Sequence, residues 1–234
     1  MAGAGGGRVP NDHRRPGPAR PGVPHRPGED SVTSTVDPTL DSTVGAEASA
    51  ARRVTDVLQP RNVLLVGMLA IGLAAAGHWT GLLWGLLGAL CAGLVPAGYI
   101  EWERGRGTWG DRHVVDRTKR APIFFVILGS IGAGSVVMVL GHAPTGILVA
   151  MLALWAMTVV LLAVNTVWKI SVDASVASAV VALLAAVHSP WWLLAYAMTA
   201  AVCWSRVALG YHTAAQVVAG ASLGAVTAGA FLLV

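Results

Sequence analysis

Charge is what this chain has least of. Only 12% of its 234 residues are Asp, Glu, Lys or Arg, about half of the ~25% found in an ordinary soluble domain. From residue 122 to the end, the charged side chains are Lys169, Asp173 and Arg206 alone. With 55% hydrophobic residues and a mean hydropathy of +0.64, that poverty argues against a cytosolic enzyme. Cysteine is nearly absent too. Cys91 and Cys203 both stand in apolar runs, where thiols behave as small hydrophobes, so neither a disulfide framework nor a cysteine metal site is expected. No metal and no cofactor is implied by any other spacing, and the lack of an aspartate-rich diphosphate–magnesium motif disfavours a prenyltransferase or terpene cyclase. The formal charge of +4 comes from a few Arg-rich stretches with no basic, aromatic-interleaved domain around them, so nucleic acid is not an expected partner.

What charge there is lies at the front. Residues 1–61 carry eight Arg, seven acids and eight of the twelve Pro. The first thirty residues contain no apolar stretch of signal-peptide type, and their Gly, Pro and Arg bury too little surface to offset ordering entropy. The expected organisation is a disordered, cytoplasmic Gly/Pro/Arg-rich tail over 1–55 and a membrane domain over 56–234. The fold class expected is all-α, a polytopic transmembrane bundle of six to seven helices.

Seven apolar segments carry that expectation, at about 62–78, 81–100, 122–141, 145–166, 173–188, 190–204 and 211–233. Several approach the ~20 residues that cross a bilayer as helix, and stretches such as GSIGAGS (129–135) and AGASLGAVTAGA (219–230) allow helices to approach closely. The connections alternate between minimal and polar. An alternating path therefore puts the segment before residue 62, the loop 101–121, and the loops around 169–173 and 205–211 on one face. Arg104, Arg106, Arg112, Arg117, Lys119 and Arg120 make that face cytoplasmic by the positive-inside rule. His78, His142 and His188 mark the opposite face, where a polar aromatic at a membrane interface is ordinary. The nine tryptophans cluster near segment ends, as an interfacial belt does.

A charge at the centre of a membrane helix costs at least ~2.5–3.5 kcal/mol on insertion scales, so intramembrane charges are functional candidates. Lys169, Asp173 and Arg206 all fall at segment ends on the same expected face. Arg206 offers a planar fork suited to phosphate oxygens. His212 follows Gly210 where the last helix begins, and a phosphate there meets free N–H groups and the positive helix end. Histidine near neutral pH is a competent nucleophile or acid/base. Gln216, four residues on, shares its helical face. For Ser171 and Asp173 a purely local reading stands alongside: Ser171 caps the fifth helix and Asp173 complements its dipole.

The run from Ser205-Arg206 to His212 and Gln216 resembles the third signature of the type 2 phosphatidic acid phosphatase (haloperoxidase-like) superfamily, SRxxxxxHxxxD, with Gln216 at the Asp position. The superfamily's second signature, PSGH, is matched at Ser171, with Asp173 in the His place. The first, KxxxxxxRP, fits at Arg120, with His113 or its neighbour Arg112 at the Lys and Ala121 at the Pro. The resemblance covers roughly residues 100–220. It implies metal-free hydrolysis of a lipid phosphate monoester or diphosphate, of polyprenyl phosphate or phosphatidic-acid type, through a phosphohistidine. His212 is then the nucleophile, Asp173 stands where the acid does, Gln216 braces the histidine, and Arg120, Ser171, Arg206, Arg112, His113 and Lys169 hold phosphate. Burial raises and nearby cations lower the pKa of Asp173, which decides whether it can act as an acid. Two further readings stand beside this one. One is a relative that binds lipid phosphate without turnover, suggested by Asp173 and Gln216. The other is an unrelated solute carrier, which predicts an internal repeat that the sequence does not contain.

Overall fold

The computed structural model describes residues 38–106 and 121–230. Among these the structure is all helix: α1 (Pro38–Val57), α2 (Pro60–Ala76), α3 (His78–Gly105), α4 (Ala121–Leu140), α5 (Thr145–Val167), α6 (Val172–Val187), a 3₁₀ segment (Pro190–Ala195), α7 (Tyr196–Ala208) and α8 (Ala214–Ala230). That is an all-α transmembrane bundle. It holds eight helices among the described residues, where the sequence suggested six to seven. Helices α3, α4 and α5 are long and apolar enough to cross a membrane. Helices α1 and α2 meet at 47° and pass the same test as one bent span, while α6 and α8 are shorter apolar helices.

Helix α1 is the added element. It covers residues 38–57, so the part of the expected disordered tail from 38 to 55 is helical. Its polar and small residues give no continuous apolar window, yet Ala51 is wholly buried and Thr55 Oγ1 donates to Ser205 Oγ at 3.3 Å. Pro60, at the first turn of α2, sets the bend, because proline is tolerated there and cannot continue the preceding helix. Helix α3 contains a wider π turn over Leu90–Leu94, closed by the Val95 N–H on Leu90 O. Pro96 lies just beyond it and has no N–H to give to the preceding turn. Ser130 Oγ on α4 donates to Cys91 O at 2.6 Å, supplying a partner to a carbonyl in that irregular turn.

Helix α6 is the centre of the bundle. Its residues from Ala174 to Val181 are all buried. On one side it packs against α2, where a Cβ on Gly67 would overlap Val180. On the other it meets α8 at backbone distance: a Cβ on Gly220 would overlap Ser171 O, and one on Gly224 would overlap Ser175 O. Ser178 Oγ crosses the seam to Ala221 O at 2.6 Å, and Ser175 Oγ turns back to Ser171 O at 2.9 Å, so the buried hydroxyls are satisfied. Small residues and satisfied hydroxyls are what joins helices in a solvent with no hydrophobic drive.

The outward surface is apolar as well. Val136, Val137, Val139 and Leu140 of α4 are all more than half exposed, an arrangement suited to hydrocarbon and a liability in water. At the end of the bundle away from the charged residues, His78 (φ 42°) and His142 (φ 55°) take the left-handed conformation. His142 sits in the tight α4–α5 turn, where the Ala143 N–H returns to Met138 O at 2.8 Å. Histidine is among the residues that enter this region most readily, so these two serve turns, and no cluster of metal-ligating residues is found among the described residues.

Candidate functional site

The polar ends of five helices meet around one cavity of about 610 Å³. Its polar lining is Lys169, Asp173, Arg206 and His212 together with Thr55, Gln59, Arg61, Glu101 and Arg104. Its remaining wall is apolar, made by side chains of α3, α4, α5 and α6. The three isolated charges of the sequence are thus brought together, at the face where an alternating path puts them.

Arg206 is held by the turn that follows it. Gly210, at φ +68°, lets the chain reverse beyond α7, and the Arg206 carbonyl then accepts from the N–H of Tyr211 at 3.0 Å and of His212 at 3.2 Å. The same backbone group that begins the Arg206 side chain therefore fixes the His212 main chain. Lys169 Nζ reaches the Tyr211 carbonyl at 2.7 Å, and the Arg206 guanidinium lies 5.9 Å from the Tyr211 ring centroid, at the edge of cation–π range. The Nε of Arg206 is 3.1 Å from Asp173 Oδ2 but off the line of its N–H, so no directed hydrogen bond forms. The contact is an ion pair between largely buried side chains, exposed by 10% and 20%. It sits on the Nε edge of the guanidinium, and the terminal nitrogens form the fork that can meet an oxyanion.

His212 faces Gln216, and Gln216 is itself held by a cap that the sequence reading did not include. Thr213 and Gln216 form the reciprocal cap of a helix start. The Gln216 N–H approaches Thr213 Oγ1 at 3.4 Å, and the Thr213 N–H donates to Gln216 Oε1 at 3.1 Å. A backbone N–H only donates, so the amide atom facing it is the oxygen. The same oxygen lies 3.2 Å from His212 Nδ1, which assigns the ring proton to Nδ1 and leaves Nε2 with the lone pair. Burial, followed by the Lys169 ammonium, pulls the His212 pKa below its ordinary value of 6.5, against the opposing pull of Gln216 and Asp173. The ring is therefore neutral at neutral pH, with a nucleophilic nitrogen.

Other expected residues have different placements. Ser171 is wholly buried. Its Oγ accepts from the Ala174 N–H at 3.3 Å as the α6 cap, and it does not line the cavity. Its N–H donates to Gln216 O at 3.3 Å, so it ties the start of α6 to the start of α8. Gln216 likewise acts from behind His212, not from the cavity wall. Arg112, His113 and Arg120 lie outside the described residues. Of the further polar lining, Glu101 and Arg104 belong to the stretch 101–121 that the sequence places on the same face as these charges, whereas Thr55, Gln59 and Arg61 are not singled out by the sequence. Arg104 pairs with Glu101 at 2.9 Å on an exposed turn, and Thr55, Gln59 and Arg61 come from the α1–α2 bend. Nothing local in the sequence joins Thr55, Gln59 and Arg61 to Lys169 and Arg206, more than a hundred positions away; only the bend at Pro60 hints at a junction.

No family model, no curated protein and no solved structure matches the chain.

Proposed function

We propose that the chain is an integral-membrane lipid phosphatase of the type 2 phosphatidic acid phosphatase kind, acting on a phosphate monoester or diphosphate of a lipid without a metal. The observation that carries this reading is the make-up of this cavity. One end presents Lys169, Arg206 and a neutral His212 with its lone pair on Nε2, beside Arg61, Arg104, Glu101 and Asp173, and the deeper lining is mostly apolar. A ligand that is anionic at one end and apolar along its length matches both.

In this reading the Arg206 fork and Lys169 hold the phosphate oxygens, assisted by the N-terminal N–H groups of α8. Nε2 of His212 attacks phosphorus, the bond from phosphorus to the lipid oxygen breaks, and the leaving alkoxide takes a proton from water or from Asp173 in its protonated form. Water then attacks the phosphohistidine, and phosphate leaves with the histidine restored. Phosphoryl transfer asks for positioning and cationic stabilisation above all, and this set supplies both. The reading also assigns the polar end of the bundle to the cytoplasmic side, on the Lys and Arg content of residues 101–121.

One observation favours a second reading. Asp173, at the place of the acid, is ion-paired to Arg206, an arrangement that a lipid-phosphate-binding relative without turnover would equally keep. Phosphate release from a lipid-phosphate panel, in detergent with EDTA, decides between them. A phosphatase gives release that is lost in His212→Ala. A folded wild-type protein that binds the lipids but releases nothing supports the binding relative.

A further inference from the structure

The apolar part of the cavity has a depth and a floor. Along α5 its lining runs from Asn165 to Leu154, about 16 Å at 1.5 Å per residue. Along α3 it runs from Arg104 to Ala92, a similar distance. That is about half of the ~30 Å hydrocarbon thickness of a bilayer, measured from the polar end. There it stops at Ala92, Ile131 and Leu154, contributed by α3, α4 and α5 and all buried. Behind this floor Met68, Met138 and Met151 are wholly buried and gather around Gly88, closing the bundle with adaptable side chains.

The bore is also made ready for hydrocarbon. Of its two polar side chains on α5, Thr158 spends its one hydrogen on its own helix, donating to Leu154 O at 2.7 Å, and Asn165, nearer the polar end, donates through Nδ2 to Leu161 O at 2.9 Å. Along its deeper part α3 offers the small residues Ala92, Gly93, Pro96 and Ala97, at and just beyond its π turn, with Ile100 nearer the polar end.

We infer that this bore receives the hydrocarbon chain of the lipid whose phosphate sits at Arg206 and His212, and that Ala92, Ile131 and Leu154 set the preferred chain length. The inference rests on the lipid-phosphate reading for its occupant. The chain leaves one apolar medium for another, so burial itself adds little. Selection comes from fit: a short chain leaves a void, and a long one meets the floor. An optimum is therefore expected, not a steady gain with length.

The test uses n-octyl, n-dodecyl and n-hexadecyl phosphates for hydrolysis, and the matching phosphonates for binding, at constant mole fraction in detergent. Wild-type protein should prefer one length by about tenfold over the worst. Leu154→Ala, which deepens the bore, should move the optimum longer, and Ala92→Leu, which raises the floor, should move it shorter. The two variants push in opposite directions, so one that fails to fold leaves the other informative. Length-dependent phosphonate binding that shifts in the variants supports the inference even if no phosphate is released, in which case only the phosphatase reading fails. Hydrolysis indifferent to length and to both substitutions overturns the inference and leaves the phosphatase standing. Absence of binding by every chain overturns both.

Discussion

Gln216→Glu tests the geometry around His212 without assuming any activity. The substitution keeps the shape of the side chain and keeps an oxygen for the Thr213 N–H, and Glu is as good a residue as Gln at this position of a capping box. What it adds is a negative charge where a neutral oxygen now lies 3.2 Å from Nδ1. An opposite charge within about 4–6 Å moves a pKa by about 1–3 units, each unit being about 1.36 kcal/mol. In the native protein the His212 pKa is held below 6.5. As pH falls below 6.5 the unfolded chain takes up the proton first, so the stability tied to the neutral ring is lost as pH falls through the folded-state value. In the variant the pKa rises by about 1–3 units. The loss of stability below pH 6.5 shrinks, or reverses where the raised value passes 6.5. Histidine-labelled NMR in detergent reads the titration, with His212→Asn to assign the resonance, and thermal unfolding on either side of pH 6.5 reads the linkage. Above that pH the unfolding free energy should stay within about 0.5 kcal/mol of wild type, as for a substitution that preserves its contacts. An unmoved titration in a protein of unchanged high-pH stability would refute the placement of Gln216 behind the ring.

Two other outcomes follow from contacts already described. Arg206→Ala leaves Asp173 largely buried without its cation and should cost about 3–5 kcal/mol, whereas the double variant Arg206→Leu, Asp173→Leu should recover most of that loss; unfolding in detergent compares them. Gly224→Ala drives a Cβ into Ser175 O on α6 and should destabilise by about 1–3 kcal/mol, while Gly129→Ala, where nothing lies within 4 Å, should stabilise α4 by roughly 0.5–1 kcal/mol.

The contrast between Gly224 and Gly129 also marks what the sequence could convey. Both stand in stretches rich in small residues, and composition treats them alike. Only the partner helix decides which glycine is a contact and which is merely exposed. The long apolar runs of α2 through α6 and of α8 were legible because a lipid-facing helix is apolar all round. Helix α1 was not, because it is held by Ala51 and Thr55 against α7 and carries no apolar run of its own. The π turn of α3 left one trace, Pro96, and no periodicity. Lys169, Asp173, Arg206 and His212 were legible as a group because each stands out against an apolar background that makes charge costly. Gln216 was read from its place four residues after His212 and as a substituted aspartate, but not as the partner of Thr213, although Thr213-Ala-Ala-Gln216 is a local capping signature complete in itself.

The local and long-range features join at one seam. Ser171 caps α6 and donates its own N–H to Gln216 O. Gly220 and Gly224 bring α8 against Ser171 O and Ser175 O, so the starts of α6 and α8 stand side by side. Asp173 rides on the first turn of α6 and His212 immediately precedes the capped start of α8. The separation of the carboxylate from the imidazole is therefore set by how closely the two helices pack, not by either loop alone. A methyl group at Gly220 parts the backbones at the level of the site, and one at Gly224 does so one turn deeper. If the seam positions the chemistry, Gly220→Ala should change the His212 titration more than Gly224→Ala does, even where the two cost similar stability. Equal titrations in both variants would mean that the turn around Gly210 and Arg206 alone holds the histidine in place.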